Sequence, residues 1–166
     1  FKKSQLGTGA AGGKPELRGA GEIRVGKFKS GAKFLATVEP MHGTSVAVYT
    51  ANLDGSLPLR RTVIEDTLKQ GHAVWAADLD GDGCDEILIG HREAGTGAVK
   101  GPGLYVYSSE GEASHKWSKH VIDDGGVAVE DAFAADLNGD GKLDLVAGGR
   151  ATHNVKLYVN LGSAKP

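Results

Sequence analysis

The chain has 166 residues, enough for one domain of ordinary size and too few for two. Its 19 basic and 21 acidic side chains leave a net charge of −2, which gives no electrostatic reason to expect nucleic acid or an anionic membrane as a partner. The single cysteine, Cys84, excludes an internal disulfide framework and any cysteine-clustered metal site, and no apolar run approaches the ~20 residues of a membrane helix. Phe1-Lys2-Lys3-Ser4 is not followed by the apolar stretch of a signal peptide, so the chain is expected to be soluble, with any export signal already removed.

Glycine, at 26 of 166 residues, is about twice its usual share and spread along the chain, which suits many short strands joined by tight turns. In chain order, residues 1–6 read as a strand, followed by short apolar runs at 34–38 and 46–49 and a strand at 60–65. At most one helical turn fits, near 66–70. Further runs follow at 74–77, 87–89 and 104–107, a strand at 117–123, and runs at 132–135, 143–147 and 155–159. Trp75 and Trp117 have apolar neighbours and are expected to pack. The stretch 95–103 is glycine-rich, but no strand precedes a helix there, which argues against a phosphate-binding loop.

The runs repeat. Ala76-Ala77-Asp78-Leu79-Asp80-Gly81-Asp82-Gly83 recurs as Ala134-Ala135-Asp136-Leu137-Asn138-Gly139-Asp140-Gly141, so the step from Asp78 to Asp136 is the period. A weaker copy lies upstream at 25–31, with Lys27 where Asp78 stands in the second unit. Each unit reads as strands A, B, C and D, and four strands in ~50 residues predict one blade of a β-propeller. The expected organisation is an all-β single module in the order D-ABCD-ABCD-ABC. Residues 1–19 form a D strand plus linker, 20–70 blade one, 71–126 blade two, and 127–166 strands A to C of blade three. Three blades are too few for a ring, so closure is expected from a second copy of the chain or from the remaining blades of a longer propeller.

Asp78, Asp80, Asp82 and Glu86 occupy positions 1, 3, 5 and 9 of one turn, and Asp136, Asn138, Asp140 and Asp144 the same positions of the other. Alternate residues of a tight turn can aim oxygens at one centre, and the intervening glycines permit the backbone angles; a hard cation such as Ca2+ is the natural occupant. Carbonyl oxygens of Cys84 and Lys142, at position 7, would complete the two shells. An EF-hand is excluded because position 12 holds Ile89 or Ala147 and the flanks read as strands. The turn after Lys27 carries lysines where the ligands would stand and is expected to bind no cation.

These turns resemble the FG-GAP (VCBS) repeats of integrin-type propellers. The resemblance implies two structural Ca2+ sites between strands A and B and an extracellular, periplasmic or cell-surface location. More narrowly, Glu39-Pro40-Met41-His42-Gly43, Gly71-His72-Ala73-Val74-Trp75 and Gly149-Arg150-Ala151-Thr152-His153-Asn154 look like the propeller of aldos-2-ulose dehydratase and related bacterial proteins. That likeness implies a keto-sugar lyase or dehydratase as the alternative to a ligand-binding or assembly scaffold.

If the acidic turns join A to B, the starts of A and the ends of B share the opposite face. Glu39, His42, His72, His91, Arg92, Glu93, Glu130, Asp131, Arg150, His153 and Asn154 are expected there. Such a set offers ligands for a second divalent ion such as Zn2+, or polar contacts for a carbohydrate. In the enzymatic alternative a divalent ion or Arg150 stabilises an enolate while His72 or His153 removes the proton, with Glu130 a further catalytic candidate.

Overall fold

The computed structural model describes residues 1–96, 101–112 and 115–162. Its strands are β1 (Ala10–Ala11), β2 (Arg18–Gly19), β3 (Ile23–Lys27), β4 (Lys33–Glu39), β5 (Ser45–Thr50), β6 (Arg60–Glu65), β7 (Lys69–Ala77), β8 (Glu86–Glu93), β9 (Gly103–Ser109), β10 (Trp117–Asp124), β11 (Val129–Ala135), β12 (Asp144–Gly149) and β13 (Asn154–Tyr158). β3 to β6 form sheet one, β7 to β10 sheet two and β11 to β13 sheet three; each strand pairs antiparallel with its neighbour in sequence. β1 and β2 make a separate two-stranded hairpin. No helix among the described residues is long and apolar enough to cross a membrane.

Two cores hold the sheets face to face. Phe34, Ala36, Val38, Val46 and Val48 of sheet one meet Val74, Ile87, Ile89, Tyr105 and Tyr107 of sheet two. The other side of sheet two, through Leu88, Leu104 and Val106, meets Val129, Ala132, Leu145 and Ala147 of sheet three. Sheet two is therefore covered on both faces, which is why β8 carries an unbroken buried run, Ile87-Leu88-Ile89, where a half-exposed strand would alternate. β13 shows that alternation, and Val155 and Leu157 point away from the core together with Phe133 of β11. Sheet one likewise turns Ile23, Val25 and Val63 outward.

Two expectations fail. Residues 1–6 are not a strand: they lie exposed, and no strand among the described residues pairs with them, so no ladder forms. Leu6 O accepts one bond from Leu59 N–H at 2.8 Å. The helical turn expected near 66–70 is absent, because Lys69 and Gln70 already belong to β7. A 3-10 turn forms instead at Pro15–Leu17, where proline presets the first helical angle. Of the glycine stretch 95–103, Gly97 lies outside the described residues, as do 163–166.

Candidate cation loops and polar face

The loop between β7 and β8 is built by its own carboxylates. Asp78 accepts from Gly81 and Gly83 N–H at 2.9 and 3.0 Å, Asp80 from Asp82 N–H at 3.1 Å, Asp82 from Cys84 N–H at 2.7 Å, and Glu86 from Leu79 N–H at 2.8 Å. Each bond recurs one period further on. Asp136 accepts from Gly139 and Gly141 at 2.7 and 2.9 Å, Asn138 from Asp140 at 2.8 Å, Asp140 from Lys142 at 2.9 Å, and Asp144 from Leu137 at 3.2 Å. Gly81, Gly83, Gly139 and Gly141 all take positive φ, 78–91°, a conformation only glycine adopts without strain.

The donor sets differ. Asp78, Asp80 and Glu86 each offer an oxygen within 4.8 Å of the others, a span that ligands of one Ca2+ occupy when each lies ~2.4 Å from the ion. Burial pushes the Glu86 carboxyl up to about 7, against the Leu79 hydrogen bond and with the Asp80, Asp82 and Asp78 charges adding to the rise. Asp82 stands outside the triad, with Lys29 Nζ 3.9 Å from its Oδ2. In the second loop the Lys142 ammonium lies 3.0 Å from Asp140 Oδ2, and Asp144 Oδ1 already accepts from Asn160 N–H at 2.9 Å. No comparable group of three carboxylates forms there among the described residues. The oxygen-only donors of the first loop fit a hard cation; those of the second fit it less well. Cys84 is buried, and burial with the Asp82 and Glu86 charges raises its thiol, so it is not a reactive group.

Asp85, absent from the sequence-based ligand set, staples the first loop to sheet one. Its N–H donates to Lys27 O at 2.8 Å and its Oδ2 accepts from Lys27 N–H at 3.0 Å.

On the opposite face, β-bulges aim two side chains inward. His72 lies in the register shift between Gly71 and Val74, and its counterpart in the next unit, Glu130, in that between Val129 and Asp131. Arg92, from β8, reaches across to Glu130 at 3.2 and 3.4 Å and to Gln70 Oε1 at 2.7 Å. His72 Nε2 is 3.6 Å and Arg150 Nε 3.4 Å from the same carboxylate. The His42 ring, on the β4–β5 turn, stacks on His72 at 4.8 Å beside a cavity of about 330 Å3 lined by Gly21, Glu22, Val38, Met41, His42 and His72. Burial, then the Arg92 and His72 charges, lower the His42 imidazole from its ordinary value. His42 and Gln70 hold positive φ, 58° and 57°, a costly conformation for side chains of their size. Three sheets thus converge on His42, His72, Arg92, Glu130 and Arg150.

The other expected members are engaged elsewhere. Glu39 is fully buried on the face of sheet one turned away from sheet two and bound by Thr37, Tyr49 and Arg61, because a buried carboxylate needs its lone pairs answered. His91 is fully buried against Tyr105, with Nδ1 2.8 Å from Glu93 O, while Glu93 pairs with Lys69. Asp131 Oδ1 accepts from Ala132 N–H, and Asn154 is bound to Thr152 and Gly126. His153 is exposed on its own turn, its N–H donating to Arg150 O. His42, His72 and His153 form no cluster of three donor atoms within 4.8 Å among the described residues, so the histidine set expected for Zn2+ is not assembled.

A recurring tyrosine–acid–cation triad escaped the sequence reading. Tyr49 and Arg61 bind Glu39; Tyr107 and Lys119 bind Glu65 at 2.7 Å each; Tyr158 and Lys156 bind Asp123 at 2.7 and 2.8 Å. Trp117 packs edge-on against Phe34, and Arg24 lies over Trp75 at 5.2 Å, so both tryptophans pack as expected. Comparison with family models, curated proteins and solved structures finds no match for this chain.

Proposed function

We propose that the chain is a calcium-stabilised β-propeller module of the FG-GAP/VCBS type, exported, and serving as a binding or assembly scaffold. The observation that carries this is the pair of acidic loops. Five equivalent hydrogen bonds recur at one offset, and the first loop gathers Asp78, Asp80 and Glu86 around a common centre. Carboxylates held this close repel one another without a cation, so ion binding is coupled to loop order. The three sheets act as successive blades, completed by a second copy or by further blades. The face made by His42, His72, Arg92, Glu130 and Arg150 receives a polar ligand, with carbohydrate as the favoured class.

The lyase alternative has less support. His72 is turned toward Glu130, whose carboxylate is shared among His72, Arg92 and Arg150, and His153 stands apart. The test is calorimetric titration with Ca2+ after chelation, alongside thermal melts. Binding that raises the melting temperature and is lost in Asp80→Ala supports the reading; no heat and unchanged melts in Ca2+ and chelator overturn it.

A further inference from the structure

The polar face holds more donors than its one central carboxylate answers. Arg92, Arg150 and His72 surround Glu130 at 3.2, 3.4 and 3.6 Å. A satisfied ion pair is shorter, about 2.7–2.9 Å, and this chain builds such pairs elsewhere, Lys119 to Glu65 at 2.7 Å and Lys156 to Asp123 at 2.8 Å. Shared among three partners, Glu130 meets none of them at that length. Arg92 is secured besides by Gln70 Oε1 at 2.7 Å, whereas the Arg150 side chain is 80 % exposed and its approach to Glu130 is through Nε. Two guanidiniums against one carboxylate leave the cluster with unbalanced positive charge, and its open side is Arg150. Glu22, the acid beside the neighbouring cavity, already has Arg24 at 3.8 Å.

The backbone holds this arrangement in costly conformations. Of the four non-glycine residues with positive φ among the described residues, His42, Gln70 and His153 stand at this face, at 58°, 57° and 53°. Each sets one part of it. His42 lays its ring on His72, Gln70 holds Arg92, and His153 closes the turn that carries Arg150, donating its N–H to Arg150 O at 3.2 Å. Backbone strain of this kind concentrates where a binding site is preorganised.

The cavity of about 330 Å3 supplies the second half of a site, at the small end of ligand-sized clefts. Val38 and Met41 give it apolar surface, the His42 ring a flat wall, and Glu22 an acceptor. That mixture suits a sugar, whose C–H face is apolar and whose hydroxyls donate. His72 belongs both to the cavity wall and to the Glu130 cluster, so a ligand in the cavity lies one side chain from the cluster.

We propose that this face binds an acidic glycan: a hexuronate unit presents its carboxylate to the Arg150 guanidinium while the adjoining sugar ring lies in the cavity against Met41 and His42. The proposal rests on the carbohydrate reading above and names the charge class of that ligand. Arginine suits the role because its planar fork meets a carboxylate with two parallel bonds. Glu130 keeps Arg92 and His72 in place, and Arg150 carries the charge that Glu130 leaves unbalanced.

Calorimetric titration of the full chain in Ca2+ tests this with trigalacturonate, its neutral methyl ester, acetate and triglutamate. The acid is expected to bind at least about tenfold more tightly than the ester. That preference shrinks in about 1 M salt, because Arg150 is exposed and its charge is screened. Arg150→Gln changes an exposed turn side chain, and circular dichroism checks its fold; it should weaken the acid at least about tenfold and leave the ester unchanged. An ester bound as tightly as the acid, or a variant that binds the acid like the parent, overturns the inference and leaves the carbohydrate reading standing. Acetate or triglutamate bound as tightly as trigalacturonate shows a carboxylate site without sugar contacts and overturns it as well. Binding of neither trigalacturonate nor its ester overturns the carbohydrate reading together with the inference, while Ca2+ titration of the same sample reports separately on the loops.

Discussion

Sheets two and three carry the same acidic turn and bulge one period apart and a similar triad, and they differ in how fully each position is answered. Around sheet two, Trp117 closes the junction, Lys119 reaches Glu65 from a fourth strand, and three carboxylates face one another in the loop. Around sheet three a groove stands open, a third-strand lysine substitutes in the triad, and Lys142 occupies an oxygen in the loop. One backbone plan therefore supports two energetic outcomes. The backbone is specified by glycine and the side-chain-to-backbone bonds of the loops, which both copies keep; the copies differ in Asn138 against Asp80, in Lys142 against Cys84, and in the aromatic that fills the junction.

The largest expected effect sharpens the difference between junctions. Trp117→Ala should cost about 3–5 kcal/mol in urea unfolding, since it empties a packed site, while Ile122→Ala on the open groove should cost less than ~1 kcal/mol. Equal losses would mean the groove is already closed in solution.

Acid compares the triads. Burial alone would raise Glu65, but Lys119, Thr67 and Tyr107 outweigh it and hold the carboxyl down at about 2. The folded chain thus binds this proton more weakly than the unfolded one. The resulting stabilisation is fully present above the ordinary value of 4.5 and disappears as pH falls toward about 2, a loss of roughly 2–3 kcal/mol. Asp123 is lowered in the same direction by Lys156, Tyr158 and Gly126 against its burial. Denaturant midpoints between pH 5 and 2 should fall for the parent chain and fall less for Glu65→Gln.

The loops give the smaller effects. Asp80→Asn places in the first loop the residue that the second loop has at Asn138, and should weaken Ca2+ about tenfold by calorimetry. Lys142→Ala releases Asp140 Oδ2 and should strengthen the second loop by a few-fold; no change would show that the lysine swings clear when an ion arrives.

Much of this was legible in the residues. The repeat located both acidic turns, and the alternation of apolar runs placed the strands that built the three sheets. The bulge positions of His72 and Glu130 could be reached through their shared offset. Other features could not be read this way. Glu39 and His91 look like face residues because they lie near the ends of their strands, but both are completely buried, His91 against Tyr105 and Glu39 among Thr37, Tyr49 and Arg61. Lys142 enters the sequence reading through its carbonyl alone, whereas in the structure its ammonium reaches the carboxylate two residues back. The triads join residues 10 to 54 positions apart and have no local signature.

By itself the sequence determined the short-range structure: glycine angles, side-chain-to-backbone bonds within the acidic turns, and the period-two faces of the strands. These depend on neighbours a few residues away and are the same wherever the segment lies. Tertiary structure alone decided which polar groups are sealed in the interior and which aromatic fills or fails to fill a junction. Each of these is settled by distances between separate sheets, and one chain's linear order does not contain them.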